Sequence, residues 1–184
     1  MRKLSVTLLM VFCLAGAYAQ EILVRSAEAS DVDFSGFKTF DWADQVDNEL
    51  NSGIYFLNDL VFKGQIREAI RNEMLGAGYE FTDENADLVV NFRVFDEATT
   101  LRTAEDFGPG YWGSVSYTTV GEINNYDVEA GTLMISLVDR ESGKIVWNGF
   151  ASGLIDDDNF IKDEGTVIQA VNMIFDDYSE NTRE

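Results

Sequence analysis

The chain contains a single cysteine, Cys13, which lies inside an apolar N-terminal segment. One cysteine cannot close an internal disulfide, and the chain has no histidine that could complete a cysteine–histidine metal site. The fold must therefore be held by buried aliphatic and aromatic side chains. The composition allows this, because 46% of the residues are hydrophobic and 12% are aromatic.

The apolar N-terminal segment is predicted to be a secretory signal peptide, residues 1–19. Two basic residues precede the apolar run 4–15, and Ala17 and Ala19 are small residues at the positions that signal peptidase reads. The run is shorter than the roughly 20 residues that span a bilayer. We therefore expect cleavage after Ala19.

The expected location of the mature chain is the periplasm or the extracellular space. A lipoprotein signal needs a small residue directly before its cysteine, and Cys13 follows Phe12. This argues against a lipid anchor. After cleavage the chain would have neither cysteine nor histidine, which excludes nucleophilic catalysis that depends on a histidine base.

The chain is strongly acidic, with 33 acidic residues against 13 basic ones and a net charge of −20. Removal of the signal peptide takes away two basic residues and no acid, so the net charge becomes −22. Nucleic acids and anionic membranes are bound through basic surfaces. We therefore expect no nucleic-acid partner and no direct binding to an anionic membrane.

Residues 20–184 contain no repeat and no linker, which predicts a single domain. Apolar alternation predicts strands, and Arg140-Glu141-Ser142-Gly143 has the composition of a hairpin turn between two of them. Residues 97–113 lack periodicity and are predicted to form a loop, and 121–127 a polar connection. The predicted strands are 20–26, 39–42, 86–95, 114–120, 131–139 and 144–154.

Two segments carry apolar residues at helical spacing. The first is expected to begin at the cap residue Asn58 and to end near Gly76 or Gly78; Lys63, Arg67 and Arg71 would mark its solvent side. The second begins near Asp163 or Glu164 and runs almost to the C-terminus. The sequence thus predicts an α+β domain, with a single mixed, mostly antiparallel sheet and two amphipathic helices packed on one of its faces.

Several segments, taken in order, resemble the exported bacterial envelope domains known as domain of unknown function 4136. The resemblance covers most of the mature chain and implies export and a small α+β fold, with no reaction to carry over. Members are often lipoproteins, and this chain departs from them by lacking the lipoprotein cysteine. The matching segments are 33–35, 38–42, the helix ending at Gly78-Tyr79, 86–90, 131–139 and 142–149.

A cluster of acids at Asp156, Asp157 and Asp158 is the one candidate metal site. Calcium takes six to eight oxygen ligands and tolerates irregular loops, so this cluster is a weak calcium candidate. The alternative is that these acids are solvated residues before a helix. No other cofactor is predicted.

The loop residues Tyr111 and Trp112, between Gly110 and Gly113, are candidates for contact with a ligand or partner. Exposed aromatic rings on a loop can stack on a sugar or on an apolar surface. The alternative is that both rings cover the hydrophobic core.

No catalytic residue stands out, and an enzyme is the less favoured reading. The sequence favours a noncatalytic, envelope-associated binding or assembly module, with an unidentified envelope protein or glycan as its partner. The alternative is a carboxylate-dependent hydrolase acting on a cell-wall or extracellular polysaccharide. Its two catalytic acids could be any of the 33 acids, so no pair can be chosen from sequence.

Overall fold

A six-stranded mixed sheet forms the centre of the molecule. The structure, a computed structural model, describes residues 21–29, 32–43, 60–106, 120–156 and 159–182. The predicted signal peptide and Asn58 lie outside these ranges. The strand order in the sheet is β1-β8-β7-β4-β2-β3, in which β2 runs parallel to β3 and β4 and all other neighbours are antiparallel. The strands are β1 (Leu23–Glu28), β2 (Thr39–Trp42), β3 (Glu80–Phe81), β4 (Leu88–Phe95), β7 (Thr132–Asp139) and β8 (Ile145–Ser152).

Two helices cover one face of this sheet, as predicted. They are α1 (Leu60–Gly76) and α2 (Glu164–Thr182), and Asp163 caps α2 by accepting a hydrogen bond of 3.0 Å from the backbone N–H of Thr166. The helices run in the same direction, because the rings of Phe62 and Phe160 meet at their beginnings and the hydroxyls of Tyr79 and Tyr178 meet at their ends, 2.5 Å apart.

The main core lies between these helices and the sheet. Trp147, on β8, is fully buried, and its ring packs against Tyr178 and Phe175 with centroids 5.0 and 6.0 Å away. Trp42 is buried as well, so both tryptophans belong to the core. Each helix contributes the apolar stripe read from the sequence: Phe62, Ile66, Ala69, Ile70 and Met74 from α1, and Val167, Val171, Ile174, Phe175 and Tyr178 from α2.

A second, two-stranded sheet corrects the sequence prediction. Strand β5 (Thr99–Asp106) lies within the predicted loop 97–113, and β6 (Val120–Val128) occupies the predicted connection 121–127. Residues 114–119 of the predicted strand lie outside the described part of the chain. Strands β5 and β6 pair with each other and not with the central sheet, so they form a separate antiparallel ribbon. The sequence of β5 lacks apolar alternation, and its pairing with β6 becomes visible only in the structure.

The remaining described strands are a short antiparallel pair before α2. These are β9 (Ile155–Asp156) and β10 (Asn159–Phe160), and the backbone of Leu154 bonds to Gly131 in the central region. Within the part of the chain that the structure describes, neither helix is long and apolar enough to cross a membrane.

The two arginines expected on the solvent side of α1 are half-buried. Arg67 lies over the ring of Trp42 at 5.1 Å, and Arg71 lies over Phe81 at 4.7 Å. Their hydrocarbon stems and guanidinium planes therefore cover aromatic rings at the β2–β3 side of the sheet. The expectation of a simple wet face was wrong, since charge alone does not reveal what a long side chain covers.

Asp87 joins two segments that carry the family resemblance. Its Oδ2 accepts hydrogen bonds from the backbone N–H groups of Lys38 and Thr39, at 2.8 and 2.9 Å, and from the Thr39 hydroxyl at 2.9 Å. The Lys38 bond is the largest cause that holds the pKa of Asp87 below its usual value. This residue therefore fixes the start of β2 against β4.

Candidate functional site

The two faces of the central sheet are covered differently. The face under α1 and α2, called here the helix face, carries Trp147 and its cross-strand neighbour Leu137. The opposite face, called here the ribbon face, carries Phe150 and Met134, which pack with Leu101 and Val128 at the base of the ribbon and with Phe95. This smaller cluster covers one end of the ribbon face.

A row of neutral polar side chains crosses the ribbon face beside that cluster. Asn91 on β4 pairs with Ser136 on β7, and Ser136 pairs with Asn148 on β8. Residues directly opposite one another in a sheet point to the same face, so the three side chains lie side by side. With strands about 4.8 Å apart, the row spans roughly 10 Å. We call Asn91, Ser136 and Asn148 the amide row.

The amide row is buried but not fully satisfied. The three residues are 7%, 8% and 8% exposed, and the Ser136 hydroxyl donates to Asn148 Oδ1 over 2.7 Å. Asn91 Oδ1 is buried, and no group among the described residues donates a hydrogen bond to it. Leaving a buried amide oxygen without a donor costs about 1–3 kcal/mol, so the row contains an acceptor that stability alone does not explain.

Apolar side chains and one arginine flank the row, which reaches an open edge. Val89 and Val138 form the neighbouring cross-strand pair on one side, and Arg93, Met134 and Phe150 lie opposite one another on the other. At the β1 end, Asn148 is opposite Ala27, which is exposed. The row thus ends at solvent on a strand with a small side chain, and its chemistry is that of hydrogen bonding without charge.

The Arg25 side chain lies beside this edge, and its neighbours hold it in place. Arg25 lies over the ring of Phe150 at 5.0 Å and donates from Nη2 to the backbone oxygen of Asp127 at 3.1 Å. Asp127 in turn accepts a hydrogen bond of 2.9 Å from the Thr100 hydroxyl. The base of the ribbon is therefore tied to β1 by one arginine.

A pair of carboxylates lies on the other side of the molecule. Glu73 of α1 and Asp176 of α2 face each other where the helices meet, and the pKa of Glu73 is raised by burial and then by the charge of Asp176. With its amide oriented as a donor, Asn172 donates to Glu73 Oε1 over 2.8 Å. The sequence did not single out this pair among its many acids.

The structure describes only one of the site residues predicted from the sequence. Asp156 is exposed at the end of β9, whereas Asp157, Asp158, Tyr111 and Trp112 lie outside the described residues. The described ranges contain no group of three or more acidic, cysteine or histidine side chains that could hold a metal ion. The calcium hypothesis and the aromatic contact therefore remain predictions.

The sequence analysis did not identify the amide row, although each strand contained a weak signal. Asn91 and Arg93 interrupt the apolar strand Leu88–Phe95, and Ser136 interrupts Thr132–Asp139. A polar residue in a strand that is largely apolar on both faces is unusual, because burying it is unfavourable unless it is bonded. The signal becomes specific only when the register places the three residues together.

Comparison with known proteins supports the fold but no activity. A DUF4136 family protein from Bacteroides thetaiotaomicron VPI-5482 superposes with a TM-score of 0.58 at 19% identity, over 89% of this chain and 98% of the other. A PDZ domain protein from Parabacteroides distasonis ATCC 8503 has a TM-score of 0.50 at 17% identity, over 86% of this chain and 36% of that protein. No curated protein matches.

The family model described as a domain of unknown function matches residues 24–178, which include the central sheet, the ribbon and nearly all of α2. The ordered segments noted in the sequence fall within that match, and the α+β fold agrees with the Bacteroides structure. The chain belongs to the DUF4136 family of domains of unknown function.

Proposed function

We propose that this protein is an exported, noncatalytic binding or assembly module of the cell envelope, and that it engages its partner through the ribbon face. The observation that carries the proposal is the unpartnered, buried Oδ1 of Asn91 in a row of neutral polar groups. Protein interiors seldom keep such an acceptor, and retention of an unfavourable polar group is typical of sites selected for function.

The chemistry of the row favours binding over catalysis. Amide and hydroxyl groups orient and recognise a partner, and the row itself contains no group that titrates near neutral pH. The adjoining valine, methionine and phenylalanine side chains are at most 5% exposed, so they line the row and keep its surroundings dry. The row ends at the exposed Ala27, on the edge strand of the sheet. A neutral protein segment or glycan would approach the row from that edge.

The proposal is tested with Asn91→Leu, a change that removes the unpartnered oxygen at nearly constant volume. We expect the variant to be more stable by about 1 kcal/mol in urea denaturation, because an unbonded buried oxygen has been removed. The mature chain and the variant are then used as baits for an envelope extract. We expect the variant to recover at least about tenfold less of any stoichiometric partner, which corresponds to about 1.4 kcal/mol.

Ile168→Ser is the matched control, because Ile168 is 40% exposed on α2 and lies on the opposite side of the sheet. It should bind as the unmodified chain does. If Ile168→Ser fails to capture the partner and Asn91→Leu captures it fully, the binding site lies on the helices and the proposal is refuted.

The alternative, a carboxylate-dependent hydrolase, is favoured by one observation: Glu73 has a raised pKa and a second carboxylate beside it. Such a pair can divide the roles of acid and base between two residues. The unmodified chain and Glu73→Gln are assayed against a panel of cell-wall and extracellular glycans. If the unmodified chain hydrolyses a glycan, Glu73→Gln does not, and the capture experiment recovers no partner, the hydrolase replaces the binding module as the favoured function. Turnover that persists in Glu73→Gln would remove this pair as its source.

A further inference from the structure

The contact between the two helices concentrates negative charge. Both helices run in the same direction, so their C-terminal ends, which carry partial negative charge, lie at the same side of the molecule. Neither helix has a basic residue in its last turn. Glu73 is in the last turn of α1, and Asp176 is in the second half of α2. Burial, the charge of Asp176 and the negative end of α1 therefore all disfavour ionisation of Glu73.

The residues three and four positions from Glu73 and Asp176 on their own helices carry no positive charge that could offset theirs. On α1, the residues three and four positions from Glu73 are Ala69, Ile70, Gly76 and Ala77. On α2, Asp176 has Asn172 and Glu180 at four positions and Met173 and Ser179 at three. Among the described residues, Asp176 is the charged group that acts on Glu73, and Asn172 is its neutral hydrogen-bond donor.

We propose that mild acidification tightens the contact between α1 and α2, because protonation of Glu73 relieves its repulsion with Asp176. The Asn172 amide still donates to Glu73 Oε1 when the carboxyl is protonated, so the contact loses repulsion without losing its hydrogen bond. The hydrogen-bonded hydroxyls of Tyr79 and Tyr178 lie at the same end of the helices, and their contact depends on the same helix packing. Helix docking would thus respond to the pH outside the cytoplasm.

The direction of the effect follows from proton linkage. The folded state raises the pKa of Glu73, so it binds the proton more tightly than the unfolded chain does. The stabilisation is fully present below the unfolded pKa of about 4.3 and is lost as pH rises through the higher folded value. Because Glu73 remains partly solvated, the effect is small compared with that of a fully buried carboxyl.

The experiment compares melting temperatures between pH 7 and pH 4 for the mature chain and three single variants. Glu73→Gln should melt about 1–3 °C higher than the unmodified chain at pH 7, and the gain should vanish near pH 4. Asp176→Asn should behave similarly, because it removes the opposing charge. Glu68→Gln removes one charge from an exposed site on the same helix and reports the general effect of lower net charge on this acidic protein.

Hydrogen exchange separates the local effect from global stability. In the unmodified chain, amides of α1 and α2 should exchange more slowly at pH 5 than at pH 7 after correction for intrinsic rates, and Glu73→Gln should be slow at both. If the melting temperatures of Glu73→Gln and Glu68→Gln depend on pH in the same way, the proposal is overturned. Equal protection of the helices at both pH values in the unmodified chain would also overturn it. Partner capture plays no part in these readouts, so their outcome is independent of the proposed binding function.

Discussion

The two faces of the central sheet differ in the side chains that they bury. On the helix face, Trp147 and its neighbours are packed against two long helices in a large, mainly apolar cluster. On the ribbon face, five buried residues form a separate cluster at the base of the ribbon, and a row of polar side chains lies beside it. Within the described part of the chain, each face keeps buried polar atoms without a hydrogen-bond partner: the indole N–H groups of Trp42 and Trp147 on the first, and Asn91 Oδ1 on the second. Only on the ribbon face do amide and hydroxyl side chains of adjacent strands form a row.

This difference places most of the apolar burial, and therefore most of the stability, on the helix face. Buried apolar area contributes roughly 25 cal/mol per Å², and the helix face holds most of the large buried side chains. The ribbon face can then keep an unsatisfied acceptor without unfolding the chain. The following changes test whether the two faces are energetically unequal in this way.

The largest expected effect comes from truncating Trp147. Trp147→Ala should destabilise the mature chain by about 3–5 kcal/mol, because a fully buried ring that supports α2 is removed. Phe150→Ala should cost less, about 2–3 kcal/mol, because its smaller cluster can collapse onto the cavity. Urea denaturation measures both. Equal costs would show that the ribbon face is as much a core as the helix face.

A smaller but sharper effect is expected at Gly149, which faces the helices beside Trp147. A methyl group there would overlap the Trp147 ring and the Ile174 side chain, so Gly149→Ala should destabilise by about 1–3 kcal/mol. Gly64→Ala is the matched control, since its added methyl meets nothing within 4 Å and alanine favours a helix. It should stabilise by about 0.5–1 kcal/mol. A neutral Gly149→Ala would mean that the helix layer is loosely packed.

The next effect concerns the contact through which Asp87 holds the start of β2 against β4. Asp87→Asn should cost about 1–2 kcal/mol at neutral pH, because hydrogen bonds to a carboxylate become bonds to a neutral oxygen. The contribution of Asp87 is present above its unfolded pKa of about 3.9 and is lost as pH falls through its lower folded value. The stability gap between the two proteins should therefore close at low pH.

Asp83→Asn serves as the control for that measurement, because Asp83 is exposed in the turn before β4. Its stability should stay within about 0.5 kcal/mol of the unmodified chain throughout. If the difference in stability between Asp87→Asn and the unmodified chain persists unchanged at the lowest pH, the carboxylate charge does not contribute to the contact between β2 and β4.

The smallest effect is expected within the amide row. Ser136→Ala leaves Asn148 Oδ1 without its donor and should cost about 1 kcal/mol, in contrast to the gain expected from Asn91→Leu. If Ser136→Ala lowers the free energy of unfolding and Asn91→Leu raises it, one end of the row is hydrogen-bonded and the other is not. A loss of stability in Asn91→Leu would instead show that the Asn91 side chain is needed for the fold.

Local patterns in the sequence determined both helices, the β7–β8 hairpin and the exclusion of disulfides. Apolar residues at every third or fourth position identify a helix wherever its partner lies, and Asp163 marks the start of α2 through a bond to its own first turn. The tertiary structure alone decided the ribbon and the amide row. Strands β5 and β6 are stabilised by each other, and Asn91 and Ser136 become neighbours only through the register of β4 and β7. Cross-strand neighbours depend on how separate segments align, and that alignment is a property of the whole sheet rather than of either strand.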